Sequence, residues 1–293
     1  MCAVAILAFT VISLAQYMEA VVTRETYRTK IFRARQLAES GVYMAYPYTV
    51  AAGDPLLTQS WSAHESFTTT IVGEGGRLPI NQILQSGNDA ILQRLFTQWG
   101  CAPDDTSTAI DCLHDWIDAD SDRRANGAEQ PEYAAIGFPT HPANVPFRTV
   151  SEMKLVIGMD KILLQKPDAL DYFTVWSQGK LDLNYASADL IQAVCNIQEN
   201  QAETFVNVRN GPDGIPQTDD DRLFTNFTRQ ASEIASSLGI TRAQLLAKSA
   251  VITVGDPTMR ITSVATVEDV SKSMTVIVSK TQASTHEIIW IER

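Results

Sequence analysis

Cysteine and histidine are scarce in this sequence. Four of each are spread over 293 residues, with no Cys-x-x-Cys and no His-Glu-x-x-His, so a zinc centre has no support. Basic charge is short as well: 23 Lys and Arg stand against 34 Asp and Glu, a net charge of −11. Nucleic-acid binders neutralise phosphates with Lys and Arg. This balance excludes a general nucleic-acid binder and suits a protein that binds cations. No glycine or proline occurs before Gly41, so nothing in the opening stretch interrupts a helix. With 45% hydrophobic and 19% charged residues, the chain is globular, long enough for one large domain or two ordinary ones.

The few cysteines have two readings. Cys101 and Cys112 bracket "CAPDDTSTAIDC", and a bridge there would contribute roughly 3 kcal/mol in an oxidising compartment. Two free buried thiols fit equally well. Cys195 sits in an apolar helical pattern and belongs to a core.

The run "MCAVAILAFTVISLA" is uncharged and ends at Gln16. By itself it is shorter than the roughly 20 residues that span a bilayer as a helix. "SLA" before Gln16 has the small residues of a signal-cleavage site, but no basic segment precedes the run. The helical pattern instead continues: Tyr27, Ile31, Ala34, Ala38, Val42 and Ala45 recur every three or four residues as a narrow apolar stripe. One long helix is expected over residues 1–50, apolar all round at first and amphipathic later. This geometry suits a membrane anchor whose second half packs on a soluble domain. The basic residues follow the apolar run, whereas an exported C-terminal domain requires them before it; a basic leader ahead of Met1 resolves the conflict.

Residues 51–80 contain a β-rich run, "ESFTTTIVGEGG". Helical patterns dominate 81–248, as in "NDAILQRLFTQWG", with Gly100 at the C-cap position. Over 249–293 the sequence alternates again and is β-branched, with "GDP" marking a turn. The expected fold is α+β: a helix, first strands, a large helical insertion, then strands that complete the sheet and lie on the first helix.

Within the insertion, "DWIDADSDRRANGAEQPEY" holds six carboxylates, Asp115, Asp118, Asp120, Asp122, Glu129 and Glu132. Asp118, Asp120 and Asp122 fall at positions one, three and five of an EF-hand count, and Glu129 at twelve. Alternate hard oxygens can curl round one Ca²⁺ and a distal Glu can close the shell. Position six is Arg123, where an EF-hand needs glycine, so this is a different loop. An acidic surface turn balanced by Arg123 and Arg124 fits the same spacing. Paired carboxylates also equip glycosidases, but no substrate-positioning constellation accompanies them.

"LIQAVCNIQENQAETFVNVR" follows the spacing of a helix-hairpin-helix. DNA-binding versions carry glycines in the turn, where bare N–H groups meet a phosphate; here Asn196 and Gln198 take those places. A small helical packing unit is the better reading. A DNA-binding version would present a basic face around Arg209, Arg222 and Arg229.

Taken in order, "RARQLAESGV", "GRLPIN", the acidic stretch, "NVPFRTVSEMKLVIGM" and "GKLDLNYASADLIQAV" resemble the K-type minor pseudopilins of the type II secretion system. The resemblance implies a pilin-like long N-terminal helix on an antiparallel sheet, with an inserted all-α domain of helix-hairpin-helix or SAM-like type. It implies a structural Ca²⁺ on Asp118, Asp120 and Glu129, with Asp115 and Asp122 completing the set, while Asn144 and Asn184 hold turns. It further implies no catalysis, a single-pass inner-membrane anchor with a periplasmic body, and a place at the pseudopilus tip. The partners implied are the I-type and J-type minor pseudopilins and other pseudopilus subunits; nucleic acid is not among them. No acidic residue precedes Glu19. K-type members likewise lack the glutamate that major pseudopilins carry near the mature N-terminus, which fits a tip subunit with no neighbour above it.

Overall fold

The computed structural model describes residues 2–218 and 220–292. The chain divides into two compact units, residues 1–71 with 260–293, and residues 72–259.

The first unit is built on helix α1 (Cys2–Met44). It carries strands β1 (Thr58–Ser62) and β2 (Glu65–Gly73) from the front of the chain. From the back come β7 (Thr258–Val267), β8 (Val270–Lys280) and β9 (Thr285–Glu292). They form one sheet in the order β1-β2-β7-β8-β9, so the late strands do complete a sheet begun before the helical insertion. Strands β8 and β9 are antiparallel, with Val276 opposite Trp290. Strand β1, whose "TQSWS" carries a weak alternation, is missing from the sequence reading and pairs antiparallel with β2.

The stripe on α1 is buried at Ala34, Leu37, Ala38, Val42 and Ala45. Tyr27, expected on that stripe, is instead 52% exposed, because the buried face starts only one turn before Ala34. Gly41 explains the close approach of helix and sheet. A Cβ there would lie 2.3 Å from Ser263 Oγ and 2.5 Å from Thr69 Oγ1. Glycine inside a helix costs up to about 1 kcal/mol relative to alanine, and here the gain is contact with the sheet. Lys280 closes the C-terminal end of α1: its buried ammonium donates to the Ala45 carbonyl at 2.9 Å and the Val50 carbonyl at 2.6 Å, where helix carbonyls lack partners. Among the described residues no helix is long and apolar enough to cross a membrane.

The second unit is helical and contains four two-residue strands. Strand β3 (Leu78–Pro79) pairs in parallel with β4 (Phe173–Thr174), and β5 (Leu181–Asp182) in parallel with β6 (Ile252–Thr253). Between β3 and β4 run α2 (Ile80–Gln85), α3 (Asp89–Gln98), α4 (Pro103–Ile117), α5 (Gln130–Ala135) and α6 (Met159–Gln165). Between β5 and β6 run α7 (Ala188–Cys195), α8 (Glu199–Arg209), α9 (Ala231–Ser237) and α10 (Arg242–Leu246).

These are two lobes on one plan. Two residues after β3, Asn81 Nδ2 donates to the Phe147 carbonyl and its Oδ1 accepts from the Phe147 N–H, both at 2.9 Å. Two residues after β5, Asn184 does the same to Phe224, at 2.8 and 2.9 Å. An amide side chain offers a donor and an acceptor side by side, so each asparagine stands in for one rung of a strand ladder. Sequence places the insertion at 81–248; the compact unit runs from 72 to 259, since the short strands that open and close each lobe lie in its core.

The core is continuous through the unit, from Leu78 and Phe96 to Phe205 and Ile252. Cys101, Cys112 and Cys195 are free, buried thiols within it. Burial pushes the Cys112 thiol up to about 12.

Candidate functional site

The acidic stretch begins inside α4 and ends at Tyr133, the fourth residue of α5. Its two aromatic residues belong to the core. Trp116 stacks on Phe147 with ring centres 6.1 Å apart and meets Tyr133 edge-on at 5.7 Å. The Tyr133 hydroxyl accepts from the Ile157 N–H at 3.3 Å. These anchors fix both ends of the segment 117–129, which then has to loop out between them.

Asp115 is fully buried and holds the loop's turn: its carboxylate accepts from the Arg124 N–H at 3.2 Å. Gly127 lies directly against it, and a Cβ there would come within 1.9 Å of Asp115 Oδ2. One turn earlier, Asp111 Oδ2 accepts from the Asn126 N–H and from Asn126 Nδ2, both at 3.0 Å. The glycine therefore serves a close approach, at a different position from the one an EF-hand would use.

The two arginines do not sit over the carboxylates that the spacing singles out. Arg124 turns to Asp89 at 3.7 Å and Asp111 at 4.0 Å. Arg123 pairs with Glu132 at 3.5 Å. The Glu132 carboxylate also accepts from the Glu129 N–H at 2.9 Å, capping α5.

What remains is a set of oxygens without partners. Glu129 is 3% exposed, and neither of its carboxylate oxygens has a hydrogen bond. Asp118 Oδ1 and Asn144 Oδ1 are in the same condition. Burial first, then the charges of Asp115, Asp118 and Asp120, push the Glu129 carboxyl up to about 7. Asp118 is raised by burial and by Asp120, with Arg124 offsetting part of this, and Asp115 is raised by burial. Buried polar atoms are normally paired, and an unpaired buried carboxylate is costly.

Asp118, Asp120, Glu129 and Asn144 are drawn together, with Asp115 behind them. Asp120 Oδ1 closes a tight turn by accepting from the Asp122 N–H at 2.9 Å. The Asp120 and Asp122 residues are both exposed, and Glu129 is raised by Asp115, Asp118 and Asp120. Asn144, in left-handed backbone at φ 51°, holds a turn and also reaches the loop, its Nδ2 donating to the Asp120 carbonyl at 3.1 Å. Spacing rules missed its oxygen because it lies well beyond the loop in sequence. Its Asn-before-Pro-Phe setting next to the Phe147 clasp was the available signal. The donors are all hard oxygens, the chemistry of Ca²⁺ rather than zinc. Among the described residues no group of three or more His, Cys, Asp or Glu side chains is placed so that it could hold a metal ion in common.

The hairpin of α7 and α8 turns at Asn196, whose φ of 48° is left-handed; asparagine tolerates this region where most side chains do not. The basic face that a DNA-binding version needs is absent at Arg209. That residue is buried and its Nη1 donates to the Leu183 and Ala186 carbonyls at 3.1 and 2.7 Å. Arg222 is paired with Glu233.

Residues 76–169, which contain the acidic loop, match the family described as type II secretion system protein K. Proteins of that name are similar over part of their length. The one from Dickeya chrysanthemi is 33% identical over 109 residues, 36% of this chain and 29% of the relative. The one from Pseudomonas aeruginosa is 28% identical over 173 residues, 56% of this chain and 48% of the relative. For Klebsiella pneumoniae the figures are 30% over 145 residues, 44% of each chain. The matched stretches thus span less than half of each of these relatives. A chain in the crystal structure of the GspK-GspI-GspJ complex from enterotoxigenic Escherichia coli has the same fold, with a TM-score of 0.63 at 14% identity. That likeness covers 96% of this chain and 98% of that one.

Proposed function

We propose that this chain is a member of the type II secretion system protein K family and a minor pseudopilin at the tip of the pseudopilus. It acts by assembly rather than catalysis. Its α1 is the packing element: Leu7, Phe9, Val11, Ile12 and Leu14 are all exposed, an apolar surface that only a lipid bilayer or neighbouring apolar helices would cover. The N-terminal part of α1 anchors the subunit at the inner membrane, and the rest of the chain lies in the periplasm. Its partners are I-type and J-type minor pseudopilins, as in the complex that the E. coli neighbour forms. The bulky second unit blocks addition of a further subunit above it.

The observation that carries this reading is the fold likeness over nearly the whole chain, pilin-type helix and sheet together with the helical insertion. Co-expression with I-type and J-type minor pseudopilins, followed by purification through a tag on one partner, tests it. Recovery of the three in equal amounts is expected. Failure of this chain to co-purify with either partner rules out the tip assignment.

Within the same reading, the acidic loop holds a structural Ca²⁺. Asp118, Asp120 and Glu129 supply the charged oxygens, Asn144 Oδ1 is a neutral donor, Asp115 keeps the loop's turn, and Asp122 completes the set. The ion would neutralise carboxylates that burial and mutual repulsion otherwise destabilise, so binding adds to folding stability. Replacing Asp118 and Asp120 together by Ala is expected to abolish the rise in melting temperature that calcium gives over chelator. An unchanged calcium response in that variant removes these residues from the site.

A further inference from the structure

Arg94 is the one feature of the hairpin region that neither assembly nor the acidic loop explains. It lies on α3, half-buried against the end of α7. Its Nε donates to the Ala193 carbonyl at 2.6 Å, satisfying a carbonyl in the last turn of α7. A guanidinium has five N–H donors in a fixed fork, so this bond accounts for one. Among the described residues no carboxylate forms an ion pair with Arg94, whereas Arg123, Arg124 and Arg222 each have one. In a chain with an excess of acid, leaving a half-buried arginine without a counter-charge runs against the composition. Burial lowers its pKa, with no carboxylate raising it.

The guanidinium opens into a cleft of about 350 Å³ between α3 and the α7–α8 turn, lined also by Thr97, Gln98, Gln192, Asn196 and Ile197. Among the described residues the Gln98, Gln192 and Asn196 side-chain amides have no hydrogen-bond partner, and each can both donate and accept.

We propose that this cleft receives the C-terminal carboxylate of a polypeptide. The Arg94 fork takes the two carboxylate oxygens in the bidentate geometry that guanidinium favours. The flanking amides pair with the main-chain N–H and C=O of the last peptide unit, in the manner of carboxylate-capturing sites. A polyphosphate ligand is disfavoured, since the net charge of −11 repels it and one guanidinium is its only cationic contact in the cleft.

The test is ¹⁵N chemical-shift titration of the full chain in detergent micelles with four probes. These are N-acetylglycine, which mimics a chain end; N-acetylglycinamide, which lacks the carboxylate; N-acetylglutamic acid α-amide, with only a side-chain carboxylate; and inorganic phosphate. N-acetylglycine is expected to shift the Asn196 and Ile197 backbone amides and the Gln98 side-chain amide, saturating in the millimolar range of a small ligand (about 4 kcal/mol at 1 mM). Arg94→Gln should weaken this at least tenfold, and Arg94→Lys, which keeps the charge and loses the fork, should fall between. If Arg94→Gln does not fold, Gln98→Ala reads the other lip and should weaken binding several-fold. Equal shifts from the glycinamide, tighter binding of phosphate or of the side-chain carboxylate, or no shift at about 50 mM probe overturns the proposal.

Discussion

Each lobe of the helical unit carries an acidic loop before the phenylalanine that its asparagine clasps, and the two loops satisfy their carboxylates to different degrees. In the second lobe most of the described carboxylate oxygens find local donors, although Asp221 Oδ1 is buried without a partner. Asp213 Oδ1 accepts from the Ile215 N–H at 2.7 Å, Asp221 Oδ2 from the Gln217 N–H at 2.7 Å, and Asp220 from Thr218 Oγ1 at 2.6 Å. The Thr218 hydroxyl first, then the Asp213 N–H, holds Asp220 below its usual range. In the first lobe Glu129 and Asp118 keep unpaired oxygens, and both are raised. Counting acidic residues does not separate these loops. The supply of nearby N–H and O–H donors does.

The comparison can be broken first at the clasps. Asn184→Ala leaves the Phe224 N–H and carbonyl unpaired in a buried site, and a loss of about 3 kcal/mol is expected from chemical denaturation. Asn81→Ala, at a less buried clasp, should lose about half of that. Equal losses would mean that burial does not separate the two.

The loops themselves come next. Glu129→Gln removes a repelled, buried charge, so in chelator it should stabilise by about 1 kcal/mol, while in calcium it should lose most of the ion's benefit. Asp220→Asn should be slightly destabilising by the same amount with and without calcium. Melting curves of both variants in the two conditions give the answer, and a calcium-dependent effect at Asp220 would erase the contrast.

The smallest expected effect is in pH. Glu129 has a folded value of about 7 against an ordinary 4.5, so in chelator the folded state holds an extra proton between those values. Stability from this group should therefore fall as pH rises from about 4.5 to 7. Asp220 is lowered, so its contribution has the other sign: it is present above the ordinary carboxylate value and is lost as pH falls through the lowered one. Melting temperature against pH in chelator, compared between the wild type and Glu129→Gln, should show the first slope vanish in the variant. A slope that survives assigns it to other groups.

Much of the fold was legible because its signals are local. The uninterrupted N-terminal pattern gave α1, the β-branched alternation gave β2, β7, β8 and β9, and Gly100 marked the end of α3. Alternation singled out Asp118 and Asp120 as candidate ligands, and the EF-hand count singled out Glu129. The two-lobe plan was not, because each lobe closes on two-residue parallel pairings and one asparagine amide, contacts between residues far apart with no periodicity to betray them. The same distance hid Asn144 from the loop's spacing. Tyr27 was misplaced on the stripe because periodicity names a helix face without saying where along it the sheet begins.

Sequence by itself determined the helix, the strands, the acidity and the order of motifs, since propensity, periodicity and charge are properties of neighbours along the chain. Tertiary structure alone decided which carboxylates go without partners, that Arg209 is buried, and that Arg94 lacks a counter-charge. Pairing and burial depend on which distant segments pack together, and that is fixed only when the whole core forms.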